Sequence, residues 1–215
     1  MLRETVSNEL FTIFIVTGLI MVTITKLIAP KRFNDFISVL GNSKYLKIYS
    51  REQKFFDKFE ALLFFNLLLS ASVFVYKIYL QTTNIKEVSI NLVIKLTLGI
   101  GLFILIKVMV ERLVGSLFEF EKLTELYLFQ KITYKNYLGV ILLPLNTLLV
   151  YSMIPKLTLI YIIVILLLIV NIVGFITTIK THQSLIKNSF FYFILYLCAL
   201  EIAPYVILYK VFTSK

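Results

Sequence analysis

The chain has 215 residues, of which 59% are hydrophobic and only 16% charged, and it carries a net charge of +10. Its mean hydropathy is +0.90, and a water-soluble fold of this size, about half apolar, cannot cover so much apolar surface with so few charges. A single cysteine excludes an internal disulfide and a single histidine, His182, excludes a bis-histidine haem within the chain; with no Cys/His cluster for zinc or iron–sulfur, no cofactor is expected.

The positive charge lies beside apolar runs. Anionic lipid headgroups are therefore the expected partner, and nucleic acid is not. The length suits about six membrane spans of ~20 residues with short loops, which predicts an all-α membrane protein forming one integral domain over residues 1–215.

The first span is predicted over 10–29 ("LFTIFIVTGLIMVTITKLIA"). The preceding "MLRETVSNE" has one Arg against two Glu, unlike the basic leader of a cleavable signal peptide, so a retained helix is expected. Pro30 ends it. The following loop carries Lys31, Arg32, Lys44, Lys47, Arg51, Lys54 and Lys58, interleaved with Phe33, Phe36, Tyr45, Ile48, Tyr49 and Phe55. That pattern predicts amphipathic helices lying at the membrane interface, where the basic set contacts anionic lipid or a protein partner.

The second span is predicted over 60–80 and includes Asn66, Ser70 and Ser72; the third, over 90–110, carries Lys95 and Lys107. Beyond it, Leu113, Leu117, Phe120, Leu123 and Tyr127 recur at spacings of three and four, with Glu119, Lys122 and Glu125 on another side. This reads as an amphipathic helix, half-sunk in headgroups or packed on the first loop. A short fourth span follows over 138–153, containing Pro144 and Asn146, where a broken helix would expose carbonyls. The fifth span covers 157–178 with Asn171 as its strong polar residue, and the sixth covers 189–209.

The basic residues set the expected orientation. With the N-terminus outside the cytoplasm, only Arg3, Lys77, Lys86, Lys95, Lys156, Lys210 and Lys215 fall on the outer side, and the other fifteen of twenty-two Lys and Arg fall inside. Both termini are then outside.

Glu201, in "FYFILYLCALEIAPYVILYK", is the candidate polar site. It lies twelve residues into the sixth span, about 18 Å along the helix. A charged carboxylate there costs at least ~2.5 kcal/mol, so it needs a proton, a partner or a wet cavity. Lys95 is the proposed partner, with Asn66, Asn146 or Asn171 as hydrogen-bonding alternatives. Pro204 frees the carbonyl of Leu200 and kinks the helix beside the acid; Tyr205, one turn on, shares its face; Cys198 reads as a small packing residue. Glu201 is either an interhelical clamp, the preferred reading, or a carrier of protons or cations.

The Cys-x-x-Glu-Ile stretch with its following proline, "ILLPLNTLLVYS", and "SKYLKIYSREQKFFDKFEALLFFNLLLS" together resemble a family of small multi-pass inner-membrane proteins of Bacteroidota, catalogued as a domain of unknown function. The resemblance implies a helical, single-domain membrane protein and implies no activity. No Walker, GxSxG or HExxH motif is present. The expected function is therefore non-enzymatic, an accessory or assembly subunit of a cell-envelope complex with a protein partner in the membrane. A small proton- or ion-coupled transporter or channel using Glu201 is the alternative, followed by a membrane-embedded enzyme. Reporter fusions check the orientation: a fusion at Lys44 gives a cytoplasmic signal and one at Lys215 gives none, and a cytoplasmic signal at Lys215 rejects this topology.

Overall fold

A computed structural model describes residues 9–50, 57–83, 89–117, 121–152, 156–181, 206 and 210. Among them every element is helical: α1 (Glu9–Ile28), α2 (Pro30–Ile37), a 3₁₀ turn (Ser38–Leu40), α3 (Lys44–Tyr49), α4 (Lys58–Thr83), α5 (Ile90–Leu117), α6 (Glu121–Tyr151) and α7 (Lys156–Thr181). Four of these helices, α1, α4, α5 and α7, are long and apolar enough to cross a membrane. The predicted sixth span, 189–209, lies outside the described residues.

The long helices run alternately up and down. Phe11 of α1, Tyr76 of α4, Val93 of α5 and Val150 of α6 meet at one end, while Phe59 of α4, Phe129 of α6 and Val170 of α7 meet towards the other. α4 packs along α1, α5 and α6, and α6 also packs on α7. The outer faces of α1, α5 and α7 are apolar and bare, with Leu98 61% exposed, Met109 71% and Ile165 57%. Polar groups such as Asn66, Gln130, Asn136 and Asn146 are buried instead. Oil outside and amides inside is the reverse of a water-soluble fold, and it is the arrangement that a hydrocarbon solvent selects. Along α1, Thr17, Thr23 and Thr25 turn their hydroxyls back to carbonyls four residues earlier, which satisfies them without water.

Two expectations change. Leu113 and Tyr127 do not share one amphipathic surface helix. Leu113 and Leu117 lie exposed at the end of α5, whereas Tyr127 is buried on α6, so the apparent stripe is divided between two helices. The short fourth span is likewise the second half of the 31-residue α6, which continues through Pro144. Of the two placements expected for its first half, half-sunk in headgroups or packed on the first loop, the structure has the second: Phe129 stacks on Tyr45 at 5.9 Å, and Leu128, Phe129, Gln130, Thr133, Tyr134 and Asn136 are all buried.

The basic loop becomes a cap. Pro30 starts α2, where its missing N–H would have no helical partner in any case. Phe33, Phe36, Val39, Tyr45 and Leu46 then bury themselves on Phe59, Phe129 and Leu138. Phe36 presents edge contacts to Tyr45, Phe59 and Tyr137 at 5.7, 5.9 and 5.8 Å between centroids, the geometry favoured by aromatic quadrupoles.

The α4–α6 crossing is as close as glycine permits. A Cβ on Gly139 would stand 2.6 Å from the Leu67 Cα, which is backbone and cannot rotate away. Gly139→Ala is expected to cost about 2 kcal/mol, measured as a fall in detergent-solubilised unfolding free energy. Gly99, with nothing within 4 Å of its would-be Cβ, supplies the contrast: Gly99→Ala is neutral or stabilises by up to about 1 kcal/mol.

Candidate functional site

Among the described residues, three polar assemblies lie in the bundle. The first is a seam between α4 and α6. The Asn146 Nδ2 donates to the Ser70 carbonyl at 2.8 Å, and the Ser70 hydroxyl faces the Asn66 Oδ1 at 3.5 Å. Both asparagines are essentially inaccessible. Asn66 Nδ2 and Asn146 Oδ1 have no hydrogen-bond partner among the described residues.

The second assembly is an ion pair between α5 and α6. Lys131 Nζ lies 2.5 Å from Glu111 Oε1, with the Glu111 side chain wholly buried. The second carboxylate oxygen, Oε2, has no hydrogen-bond partner among the described residues. Lys107, one turn before Glu111 and on the same face of α5, is also buried. The Lys131 ammonium additionally lies 5.6 Å from the Tyr127 ring centre, a cation–π distance.

The third is the Arg32 cluster under the cap. Arg32 reaches from α2 to both acids at the start of α4, pairing with Asp57 through Nη1 and with Glu60 through Nη2 at 3.3 Å. Its guanidinium carbon lies 4.5 Å from the Phe59 ring centre and 5.0 Å from that of Tyr49. Asp57 also caps α4, accepting the Phe59 N–H at 3.0 Å. One residue thus starts the helix and anchors the cap to it. Burial works against the Arg32 charge, but its contacts with Tyr45 and Asp57 outweigh that and place its pKa above the ordinary value. Burial likewise pushes the Tyr45 phenol up, so both groups keep their protons at any physiological pH. A cavity of about 460 Å³ opens beside this cluster, walled by α4, α5 and α6.

Residues 11–212 match the family model described as a domain of unknown function, DUF4271. The chain belongs to this family. No curated protein and no solved structure matches it.

In this DUF4271 protein the predicted polar residues separate. Asn66 and Asn146 come together through Ser70. Lys95 is exposed on α5, and Asn171 is exposed on α7, donating to its own helix at the Leu167 carbonyl, 2.9 Å. Glu201, Cys198, Pro204 and Tyr205 lie outside the described residues, as do Arg51 and Lys54. Of the basic set, Lys31, Lys44, Lys47 and Lys58 face outward, with Lys44 paired to Asp35 at 3.1 Å, whereas Arg32 turns inward.

Sequence reasoning passed over Glu111 and Lys131. Glu111 falls just beyond the predicted third span, 90–110, although its spacing from Lys107 places the two charges on one face. Lys131 gave no such signal, because its partner comes from another helix. Lys131→Met leaves Glu111 buried without its cation and is expected to cost about 3 kcal/mol in unfolding free energy; adding Glu111→Leu recovers most of that loss, because the stranded charge is removed.

Proposed function

We propose that this DUF4271 protein is a non-enzymatic accessory or assembly subunit of a cell-envelope complex, held in the bacterial inner membrane by six spans with both termini on the outer side. α1, α4, α5, α6 and α7 supply five of the spans and residues 189–209 the sixth. α6 crosses despite its polar residues because other helices, not lipid, surround them. The fifteen-to-seven asymmetry of basic residues puts the cap in the cytoplasm.

The observation that carries the accessory role is the build of the cap. Its aromatic face is buried in the bundle, while Lys31, Lys44, Lys47 and Lys58 point away from it. Rigid backing with outward charge suits recognition of an acidic surface, since the side chains that make contact are already positioned. In the membrane, exposed Asn171 on the otherwise apolar outer face of α7 is suited to a hydrogen bond from a partner helix. The basic set also contacts anionic headgroups when no protein covers it.

A proton- or ion-coupled transporter is the second reading. Buried Glu111, with one oxygen unpartnered among the described residues, is the observation that favours it, alongside Glu201, because buried acids are the usual carriers of protons across membranes.

Mild-detergent extraction followed by native electrophoresis separates the two readings. An accessory subunit migrates in a complex larger than itself, and Lys31→Glu with Lys47→Glu reduces partner recovery about tenfold without changing expression or monodispersity. Glu201→Gln changes partner recovery or stability. A chain that migrates alone and drives proton or ion flux in vesicles, with the flux abolished by Glu201→Gln or Glu111→Gln, overturns the accessory reading.

A further inference from the structure

The cavity under the cap carries a ligand assignment that is independent of the accessory role and rests only on the chain's being embedded in a bilayer. Its helix walls grade in one direction. On α4, Asp57 and Glu60 lie at the cap end and Phe64 lies one turn deeper. On α5, Arg112 lies at the cap end, with Val108 and Leu105 successively deeper. On α6, Glu125 is followed inward by Leu128 and Ile132. Charges of both signs line one end and apolar side chains the other, and along α5 the change takes about 10 Å of helix.

The cavity is also reachable from outside the bundle at both ends. Arg112 and Glu125 are exposed at the charged end, and Leu105 is exposed where α5 joins the apolar belt. A ligand with a polar head and a hydrocarbon tail therefore enters from the membrane without crossing a packed wall.

The charges select the head. Arg32 is already held by Asp57 and Glu60, so the exposed charges at the mouth are one guanidinium, of Arg112, and one carboxylate, of Glu125. A fatty acid or anionic phospholipid would set its negative charge beside Glu125, and a simple cationic amphiphile would set its positive charge beside Arg112. A zwitterion satisfies both. We propose that this cavity binds a zwitterionic aminophospholipid of the phosphatidylethanolamine class. Arg112 holds the phosphate, since guanidinium matches phosphate oxygens bidentately. Glu125 receives the ammonium, with Glu60 beside it. The first acyl carbons lie along Val108, Leu105 and Phe64. A primary ammonium has three N–H donors for these carboxylates, whereas choline has none. The volume of about 460 Å³ suits a headgroup with its glycerol, as small-molecule sites occupy about 300–1,000 Å³, leaving the remaining chain length in the bilayer.

Native mass spectrometry of the purified full chain tests this, using mixed micelles that contain equimolar phosphatidylethanolamine, phosphatidylcholine and phosphatidylglycerol. The expected result is one retained phosphatidylethanolamine per chain, held about tenfold better than either competitor. Glu125→Gln removes the preference over phosphatidylcholine. Arg112→Ala lowers retention of both zwitterionic lipids about tenfold. Val108→Trp fills the apolar end and removes the retained phosphatidylethanolamine, while Gly99→Ala, with open space around its would-be Cβ, changes nothing. Should Val108→Trp not fold, the two variants at exposed positions, Arg112→Ala and Glu125→Gln, carry the test. Preferential retention of phosphatidylglycerol, or retention unchanged in both of those variants, overturns the assignment.

Discussion

An amide or carboxylate surrounded by hydrocarbon has no water to turn to, and every long helix of this protein is arranged around that constraint. α4 and α6 carry the internal polar groups and pack against each other, so Asn66, Ser70 and Asn146 meet across their interface. α1, α5 and α7 present apolar side chains outward. The burial of Glu111 follows from the same rule. Its carboxylate is kept away from the apolar exterior and held against Lys131, an arrangement whose desolvation cost is offset only while both partners remain.

At the cap end the side chains change, and charged groups come to the surface. α2 and α3 are basic on their outer side and aromatic on their inner side, and Arg32 links the two regimes. It is charged, yet it lies against Phe59 and Tyr49 and pairs with both acids at the start of α4. Aromatic faces and carboxylates together stabilise a guanidinium that a lysine ammonium, more strongly hydrated and without a planar fork, would not match. The cavity lies beside this junction, between the last charged residues and the first wholly apolar turns. Its amphiphilic lining therefore follows from its depth.

The polar candidates show how far one-dimensional reasoning reaches. Asn66 and Asn146 stood out because asparagine is costly in an apolar run, and both are buried in one seam. Asn171 stood out for the same reason but faces outward, since a helix's sequence does not state which of its faces will meet a neighbour. Glu111 and Lys131 were passed over because both fall between predicted spans and each finds its partner on another helix. Arg32 was grouped with the other cations of its loop, and nothing local separates it from Lys31; only the return of Asp57 and Glu60, 25 and 28 residues later, distinguishes them.

Composition by itself determined that oil is this protein's solvent, since 59% hydrophobic residues leave too few charges to coat a water-soluble surface. Run length marked out the helices α1, α4, α5 and α7, because an apolar stretch of membrane length has little alternative to a helix, although α5 runs on to Leu117, seven residues past the predicted end. Only the tertiary structure decided that α6 is one continuous helix in the middle of the bundle. Its polar residues make it look superficial to any local measure, and the reason it is not superficial lies in the surrounding helices. A side chain's cost in a membrane depends on whether lipid or protein faces it, and that is a property of the packing and not of the segment.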